Sequence, residues 1–248
     1  MGSIAPRVSS EIIVTDTIYV SKQTGGTCYA HATATAILEA ARRFYQKRMN
    51  PEEVVLFQVF FGFLHACLVC RIVGDQGDQG GDEHEALDLI AGDMRNNSDC
   101  DVDLKYKVLS EYDVDTVKDY LDNKHVVIAS YRLRNDRWTN FNKFFQDFRD
   151  DNTWIIDKND IYKIDNGTHP GLKGKKGGAK GEIGDDGHAV VIVGYGRADP
   201  TKHSNYTIYW KIKNSWGPTS PHTYNGYFRA FPDAIGFNRY IPVWCEAK

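Results

Sequence analysis

The stretch from Asp186 to Gly196 reads DGHAVVIVGYG, a histidine followed at once by a run of apolar residues. A short, continuous apolar run of this kind predicts a strand that is buried on both faces. His188 lies at the start of that strand, so a rigid element would hold its imidazole in place. A single histidine at a strand edge is more often structural than catalytic, and the rest of the sequence must decide its role.

Three other blocks carry residues whose chemistry fits that histidine. Upstream, Gln23–Ala30 reads QTGGTCYA; downstream, Lys211–Gly217 reads KIKNSWG and Asn225–Arg229 reads NGYFR. Cys28 opens an alanine-rich predicted helix, where unpaired N–H groups and the helix dipole favour a thiolate. Taken singly, a cysteine is more often a small buried hydrophobic residue and Asn214 a turn residue. The blocks therefore carry a functional prediction only together.

The remaining sequence predicts helices first and strands afterwards. Helices are predicted at Tyr29–Lys47, Glu83–Ala91 and Asp113–Asn123, with a further one at Val54–Val69 that follows the start signal Asn50-Pro51-Glu52-Glu53. Strands are predicted at His125–Leu133, His188–Gly194, Tyr206–Lys213, Gly226–Phe231 and Tyr240–Trp244. This order is typical of an α+β protein with two lobes, and antiparallel strands of this number could close into a small barrel.

The segment Val54–Val69 (VVLFQVFFGFLHACLV) is almost entirely apolar, with Gln58 and His65 as its polar residues. Spanning a bilayer takes about 20 such residues, and this run is shorter, with Arg71 close behind it. A helix that is apolar on all sides is usually buried in a core. We therefore predict a buried core helix here and no contact with a membrane.

Together, the blocks resemble the papain-like, cathepsin-like cysteine peptidases, whose Cys, His and Asn order they follow. Gly80-Gly81 with Ala86-Leu87 is similar to the substrate-binding Gly-Gly pair and following helix of that family. The matching blocks appear in family order from about residue 20 to residue 243. Any one of them is a weak signal, but the ordered set is specific.

The resemblance implies a papain-like two-lobe α+β fold, with the active-site cleft between a helical left lobe and an antiparallel, β-barrel-like right lobe. We expect one catalytic domain over residues 1–248, mainly helical from about 20 to 120 and mainly β from about 121 to 243. Insertions relative to the family are predicted near 152–186 and 197–205, beside the cleft.

The resemblance also implies a role for each residue of the site. Cys28 would attack a peptide carbonyl as a thiolate, and His188 would protonate the leaving amine. Asn214 would accept the other ring N–H of His188, and Trp216 would shield that hydrogen bond from water. The Gln23 amide and the Cys28 backbone N–H would form the oxyanion hole. Gln23 lies five residues before Cys28, where the family usually has six, which makes its role the least secure of these.

Substrate binding is expected around the Gly-Gly pair and the catalytic histidine, at Gly80, Gly81, Asp82, Gly187 and Trp216. Gly81 would offer its backbone to an extended peptide, since a side chain there would block the approach. Carboxylates at Asp82, Glu83 and Asp186 would favour a basic residue at the second subsite. Arg239 from the last strand could neutralise them.

His31 and the pair Cys67 and Cys70 lie in the helical half and are predicted to have structural roles. His31 follows Cys28 by three positions on the same helix face, and we expect it to point into the lobe interior. Cys67-x-x-Cys70 has no second pair at a fixed spacing, so packing or one disulfide, such as Cys70–Cys100, is predicted rather than redox or zinc chemistry.

Composition excludes several other protein classes and partners. With 42% apolar and 25% charged residues, the 248-residue chain is typical of a globular protein, not of a disordered or fibrous one. The formal net charge of -3 gives no global electrostatic reason to bind nucleic acid or an anionic membrane. We expect a monomer without a metal or other cofactor, acting on a peptide or protein substrate. A pro-segment or a protein inhibitor would be a further occupant of the cleft.

The cellular location stays open. The first residues do not show a charged n-region followed by an apolar h-region, so no signal peptide is predicted. The family's cysteine three residues before the nucleophile is Gly25 here, and its usual partner is also missing, which leans towards the cytosol. Sequons at Asn96, Asn166 and Asn205 favour a lysosomal or secreted protein from which a presequence has been removed.

Two further functions stay open beside peptide hydrolysis. An acyl-enzyme does not dictate its acceptor, so the same triad could serve an acyl-transfer enzyme of the transpeptidase or ligase type. A non-catalytic papain-like binding module is the alternative from another class. The presence of Cys28, His188 and Asn214 together argues against that module.

Overall fold

The computed structural model describes residues 8–14, 19–109, 114–134, 155–157, 185–198, 208–217 and 226–248. Most of the two predicted insertions, near 152–186 and 197–205, lies outside the described residues. The description therefore concerns the helices, the sheet and the site between them.

The four described helices confirm the pattern expected from the sequence. They are α1 (Cys28–Gln46), α2 (Pro51–Gln76), α3 (Glu83–Asn96) and α4 (Val114–Asp122). The predicted start signal of α2 is a capping box, in which the Asn50 side chain accepts from the Glu53 N–H and Glu53 accepts from the Asn50 N–H. Asp82 caps α3 by accepting from the backbone N–H groups of the first turn. The first cap fixes the start of α2, and the second fixes the start of α3 directly after the Gly-Gly segment.

Seven strands among the described residues form one antiparallel sheet. They are β1 (Val8–Ile13), β2 (Val102–Tyr106), β3 (Val126–Arg134), β4 (Asp185–Ala198), β5 (Ile208–Lys213), β6 (Tyr227–Ala230) and β7 (Phe237–Ala247). The strand order is β2-β7-β3-β4-β5-β6, and β1 pairs with β4. The α+β class is confirmed, and the described strands form an open sheet with β2 and β6 at its ends. The sequence did not predict β1 or β2.

Helix α1 lies at the centre of the molecule. It packs against β3, β4 and β7 on one side and against α2 and α3 on the other. Thirteen of its nineteen residues are buried, and most of these are alanine or threonine, whose small side chains allow close approach on every side. Even the ion pair between Glu39 and Arg42, at 3.0 Å, is buried within it.

Helix α2 corrects the prediction of a buried core helix over Val54–Val69. Of its twenty-six residues, only Phe61, His65 and Ile72 are buried. Val59 is 70% exposed and Phe63 67% exposed. The prediction was wrong because α2 packs on α1 and α3 through one face, while no described element covers the other. By length and composition alone, α2 could cross a membrane.

Candidate active site

Cys28 is the first residue of α1, as predicted. Its side chain is buried, and its Sγ atom lies 3.9 Å from the carbonyl oxygen of Gly187 on β4. The backbone of Ala189 also hydrogen-bonds the thiol. The thiol therefore contacts the residues on both sides of His188 and joins the helical half of the chain to the sheet.

His188 and Asn214 are brought together by neighbouring strands. His188 lies on β4 and Asn214 follows β5 directly, and these strands pair up to Val191 and Lys213. The His188 Nε2 atom is 2.8 Å from the Asn214 Oδ1 atom. That oxygen also accepts from the Ser215 backbone N–H at 2.8 Å, which fixes the amide as an acceptor towards the imidazole. In the neutral ring this bond places the proton on Nε2 and leaves Nδ1 as the basic nitrogen.

Two aromatic side chains hold the imidazole. Trp216 stacks on the His188 ring with centroids 4.9 Å apart and planes at 26°. Tyr131 meets the same ring edge-on, at 5.6 Å and 83°. Sequence reasoning missed Tyr131, because its proximity follows from the pairing of β3 with β4, in which Tyr131 lies directly opposite His188. With both rings in place, His188 is 3% exposed.

Burial dominates the electrostatics of the two titratable groups. Burial raises the pKa of the Cys28 thiol; the hydrogen bond from the Ala189 backbone opposes this shift, and the charge of Glu83 adds to it. Burial lowers the pKa of His188 to about 4, against the opposing effect of its bond to Asn214. An isolated thiolate or an isolated imidazolium is therefore costly in this site.

Gln23 lies beside the segment that carries Asn214. Its backbone N–H donates to the Ser215 carbonyl at 2.6 Å, and its side-chain oxygen accepts from the Ser215 hydroxyl. The side-chain amide nitrogen donates to the Gly25 carbonyl in a long bond of 3.3 Å. Gln23 is thus positioned by a serine that sequence reasoning had not singled out.

The predicted substrate-binding glycines adjoin the cysteine segment. The Gly26 N–H donates to the Asp78 carbonyl at 3.0 Å, and a Cβ on Gly26 would come within 2.8 Å of the Gly80 nitrogen. A Cβ on Gly81 would lie 2.5 Å from the ring of Tyr29, the residue after the candidate nucleophile. At both positions a larger residue would clash with its neighbours, so glycine is required. Gly80, Gly81 and Gly187 are all exposed, so their backbones can be reached by a ligand.

The expected acidic pocket already contains a counter-ion. Arg239 on β7 donates to Asp82 at 2.6 Å and to Glu83 at 3.2 Å. Burial alone would raise the pKa of Asp82, but Arg239 and the helix N–H bonds outweigh it and leave that pKa lowered. Burial raises the pKa of Glu83. The side chain of Asp186, the third predicted carboxylate, lies outside the described residues.

Comparison with known families decides the identity. A sequence model of the papain family cysteine proteases matches residues 14–238, nearly the whole chain. The chain belongs to the papain family. It is therefore a cysteine peptidase, and the matched region contains Gln23, Cys28, His188 and Asn214.

This papain-family chain is also similar to solved structures of cysteine proteases. Xylellain, a cysteine protease from Xylella fastidiosa, superposes with a TM-score of 0.50 at 15% identity, covering 97% of this chain and 90% of its own. The digestive procathepsin L2 proteinase of Tenebrio molitor gives a TM-score of 0.43 at 18% identity, covering 95% of this chain and 68% of its own. A sequence comparison with curated proteins finds no match.

Other predicted residues of this papain-family enzyme lie away from the site chemistry. The His31 ring packs between α1 and α2, 5.3 Å from that of His65. Cys67 and Cys70 are exposed, and all five cysteines are free, which corrects the prediction that this pair serves packing or a disulfide. The described residues contain no group of three or more potential ligands that could hold a metal ion.

Proposed function

We propose that this papain-family chain hydrolyses peptide bonds through a thioester acyl-enzyme, with Cys28 as nucleophile and His188 as acid and base. Asn214 would be the residue that orients the imidazole. The observation that carries the proposal is the 2.8 Å bond between His188 Nε2 and Asn214 Oδ1, formed beside a cysteine thiol at a helix N-terminus. A thiol close to an imidazole that an amide orients supports the roles of nucleophile, base and orienting group.

The proton path follows from that bond. Because Asn214 engages Nε2, the Nδ1 atom is the nitrogen that would take the proton from the Cys28 thiol. Burial penalises each charge alone, so the thiolate and imidazolium form best as a pair that offsets this cost by mutual attraction. The thiolate adds to the peptide carbonyl, and the imidazolium protonates the amine as the C–N bond breaks. Water deprotonated by His188 then cleaves the thioester.

The oxyanion would be bound by two donors near the start of α1. The Cys28 N–H belongs to the first helical turn, where backbone donors have no partner within the helix. The Gln23 amide nitrogen is held in a 3.3 Å bond to Gly25, which an oxyanion could replace at little cost. Ser215 anchors the other end of this amide and would keep it oriented.

A preference for a basic residue at the second subsite remains part of the proposal. Two carboxylates, Asp82 and Glu83, face one guanidinium, Arg239, which leaves the pocket net negative when both acids are ionised. Because Arg239 already engages both acids, we expect the preference to be only a few-fold. Comparing kcat/KM for peptides with Arg or Leu at this position should show a larger ratio in Arg239→Gln than in the wild type. An unchanged ratio would remove these residues from the subsite.

The first experiment is covalent labelling with a cysteine-directed epoxide inhibitor of papain-like enzymes under reducing conditions, read by peptide mass mapping. We expect selective modification of Cys28 that is lost in Cys28→Ala and strongly slowed in His188→Ala. The exposed Cys67 is the internal control. If Cys28 reacts no faster than Cys67, the catalytic assignment is wrong, and a binding module becomes the better description.

Product analysis then separates hydrolysis from acyl transfer. A peptide substrate is incubated with the enzyme in the presence and absence of an added amine acceptor. Free acid as the main product at a moderate acceptor concentration supports the peptidase. Aminolysis product in excess of acid would support the acyl-transfer alternative on the same residues.

A further inference from the structure

Helix α2 presents an exposed apolar stripe, here called the α2 seam: Leu56, Val59, Phe60, Phe63, Cys67 and Cys70. Among the described residues, five of the eight exposed large hydrophobic side chains lie on α2. Spacings of three and four residues place the seam on one face, opposite the buried Phe61, His65 and Ile72. The most exposed members, Val59 at 70% and Phe63 at 67%, lie at the middle of that face.

We propose that, in place of the monomer expected from the sequence, the α2 seam pairs with the seam of a second copy of this chain in an antiparallel, two-fold symmetric contact. Alternating spacings of three and four are those of a coiled-coil seam. In the antiparallel register centred between residues 61 and 62, Phe63 packs against the partner's Phe60 and Leu56 against the partner's Cys67. Each contact then occurs twice, as an isologous interface requires.

Charge complementarity selects this register. Within α2, the only ionised residues that border the apolar stretch are Glu52 and Glu53 before it and Arg71 after it. The same antiparallel register that pairs the phenylalanines sets Glu52 opposite the partner's Arg71, at both ends of the contact. Arg71 donates to Asp93 from Nε at 2.9 Å and from Nη2 at 3.2 Å, and its Nη1 lies 4.0 Å from Asp75. With five N–H donors, the guanidinium still has donors for the partner's Glu52. A parallel pairing would instead place Glu52 beside the partner's Glu52.

The exposed area suits a small homodimer. Side chains of this size and exposure present roughly 500 Å² of apolar surface on each copy, which is as large as the largest patch of an ordinary monomer. Two copies would bury on the order of 1,000 Å² in total, the size at which specific interfaces begin. Flanking residues such as Val55, which is 57% exposed, would add to the rim.

A lipid surface fits the same stripe less well. Membrane-surface helices carry lysine and arginine beside their apolar face, whereas α2 begins with two glutamates and has no cation before Arg71. Its opposite face is held to α1, where His65 bonds the Thr35 hydroxyl at 3.2 Å, so the helix cannot be surrounded by lipid without breaking that contact. A protein partner requires no such loss.

Mass measurement by light scattering after size exclusion tests the pairing on the full chain, at about 1 to 100 µM. We expect a mass of about twice the 28.1 kDa of one chain at the upper concentrations. Phe63→Asp should shift the chain to a monomer by at least tenfold in dissociation constant. Val108→Asp, an equally simple change at a 47% exposed site away from α2, is the matched control and should stay dimeric.

Cross-linking tests the register. In a Cys28→Ala background, Leu56→Cys should form a disulfide with the partner's Cys67 under mild oxidation, and Cys67→Ser should prevent it.

A monomeric wild type at all concentrations, or a dimer insensitive to Phe63→Asp, would overturn the proposal. So would a wild-type monomer that floats with neutral or anionic vesicles, which would assign the seam to lipid. Rapid Cys67–Cys67 cross-linking in the wild type would show a parallel contact and contradict the register.

Discussion

Helices α1 and α2 are neighbours with opposite relations between composition and burial. Helix α1 carries one glutamate, two arginines and two threonines, yet thirteen of its nineteen residues are buried. Helix α2 has no charged residue between Glu53 and Arg71, yet only three of its twenty-six residues are buried. The difference shows that position between layers, and not apolar content, decides burial in this molecule.

The physical reason is the number of surfaces that each helix contacts. Helix α1 lies between the sheet and the other helices, so its small side chains are covered on two sides. Helix α2 forms an outer layer with one covered face, and its large side chains have no described neighbour on the other. The four predictions below use paired changes on or between these helices.

The largest expected effect compares the cysteines of the two helices. Cys28→Ala at the start of α1 should lower kcat/KM for a peptide substrate by roughly 10⁴-fold or more, because the nucleophile is lost. Cys67→Ala on α2 should leave kcat/KM unchanged, since that thiol is exposed and lies outside the proposed site. Hydrolysis of a fluorogenic peptide measures both. Comparable losses of kcat/KM in Cys28→Ala and Cys67→Ala would contradict the assignment of Cys28 as the nucleophile.

Acid should weaken the contact between the helices. Burial lowers the pKa of His31 and of His65 to about 4 each. The folded state therefore binds fewer protons than the unfolded state below pH 6.5, so stability present above pH 6.5 is lost as pH falls towards 4. The loss between pH 7 and 4.5 should be about 2 kcal/mol for each histidine.

Urea unfolding at the two pH values measures this loss. The groups facing His65 are His31 and Thr35 on α1, Tyr19 in the preceding segment and Lys213 on β5, whose positive charge further disfavours protonation. His65→Gln keeps a hydrogen-bonding side chain but cannot take up a proton. A pH dependence as steep in His65→Gln as in the wild type would show that this cluster is not its source.

Equal increases in volume should have unequal costs on the two helices. Ala36→Leu adds three carbons at a fully buried site on α1 and should lower the free energy of unfolding by about 1–3 kcal/mol. Ala66→Leu adds the same three carbons at an exposed site on α2 and should change it by less than about 0.5 kcal/mol. Denaturant midpoints at a protein concentration at which the chain is a monomer provide the comparison. A large cost for Ala66→Leu would mean that this side of α2 is covered in the folded monomer.

The smallest expected effect concerns the start of α2. Asn50→Ala removes the acceptor for the Glu53 N–H, a 3.0 Å bond, and should cost about 1 kcal/mol of stability. Asn50→Asp retains an acceptor and serves as the control. If Asn50→Ala unfolds at the same denaturant concentration as the wild type, the capping box does not contribute in solution.

Much of the fold and the candidate site was predictable because local signals agreed with the tertiary structure. The block around His188 predicted a buried strand, and the Asn50 signal predicted the start of α2. Strand β2 was missed because a five-residue segment with partial alternation acquires its meaning only beside β7. Tyr131 was missed because cross-strand register is not visible in sequence. The exposure of α2 was missed because the apolar pattern of its sequence does not show which other elements pack against the helix.

Strand β7 follows every other described element in the sequence, yet it lies between β2 and β3. It also carries Arg239, which reaches the acids beside the Gly-Gly segment. Because β7 leaves the ribosome after these other elements, a nascent chain can hold Cys28 on α1, His188 on β4 and Asn214 next to β5, before the sheet has gained this inner strand. We therefore expect proteolytic activity to begin only after β7 has emerged. The order of the elements along the chain would thus delay proteolysis until β7 has joined the sheet, which would protect the ribosome from cleavage by the protein that it is making.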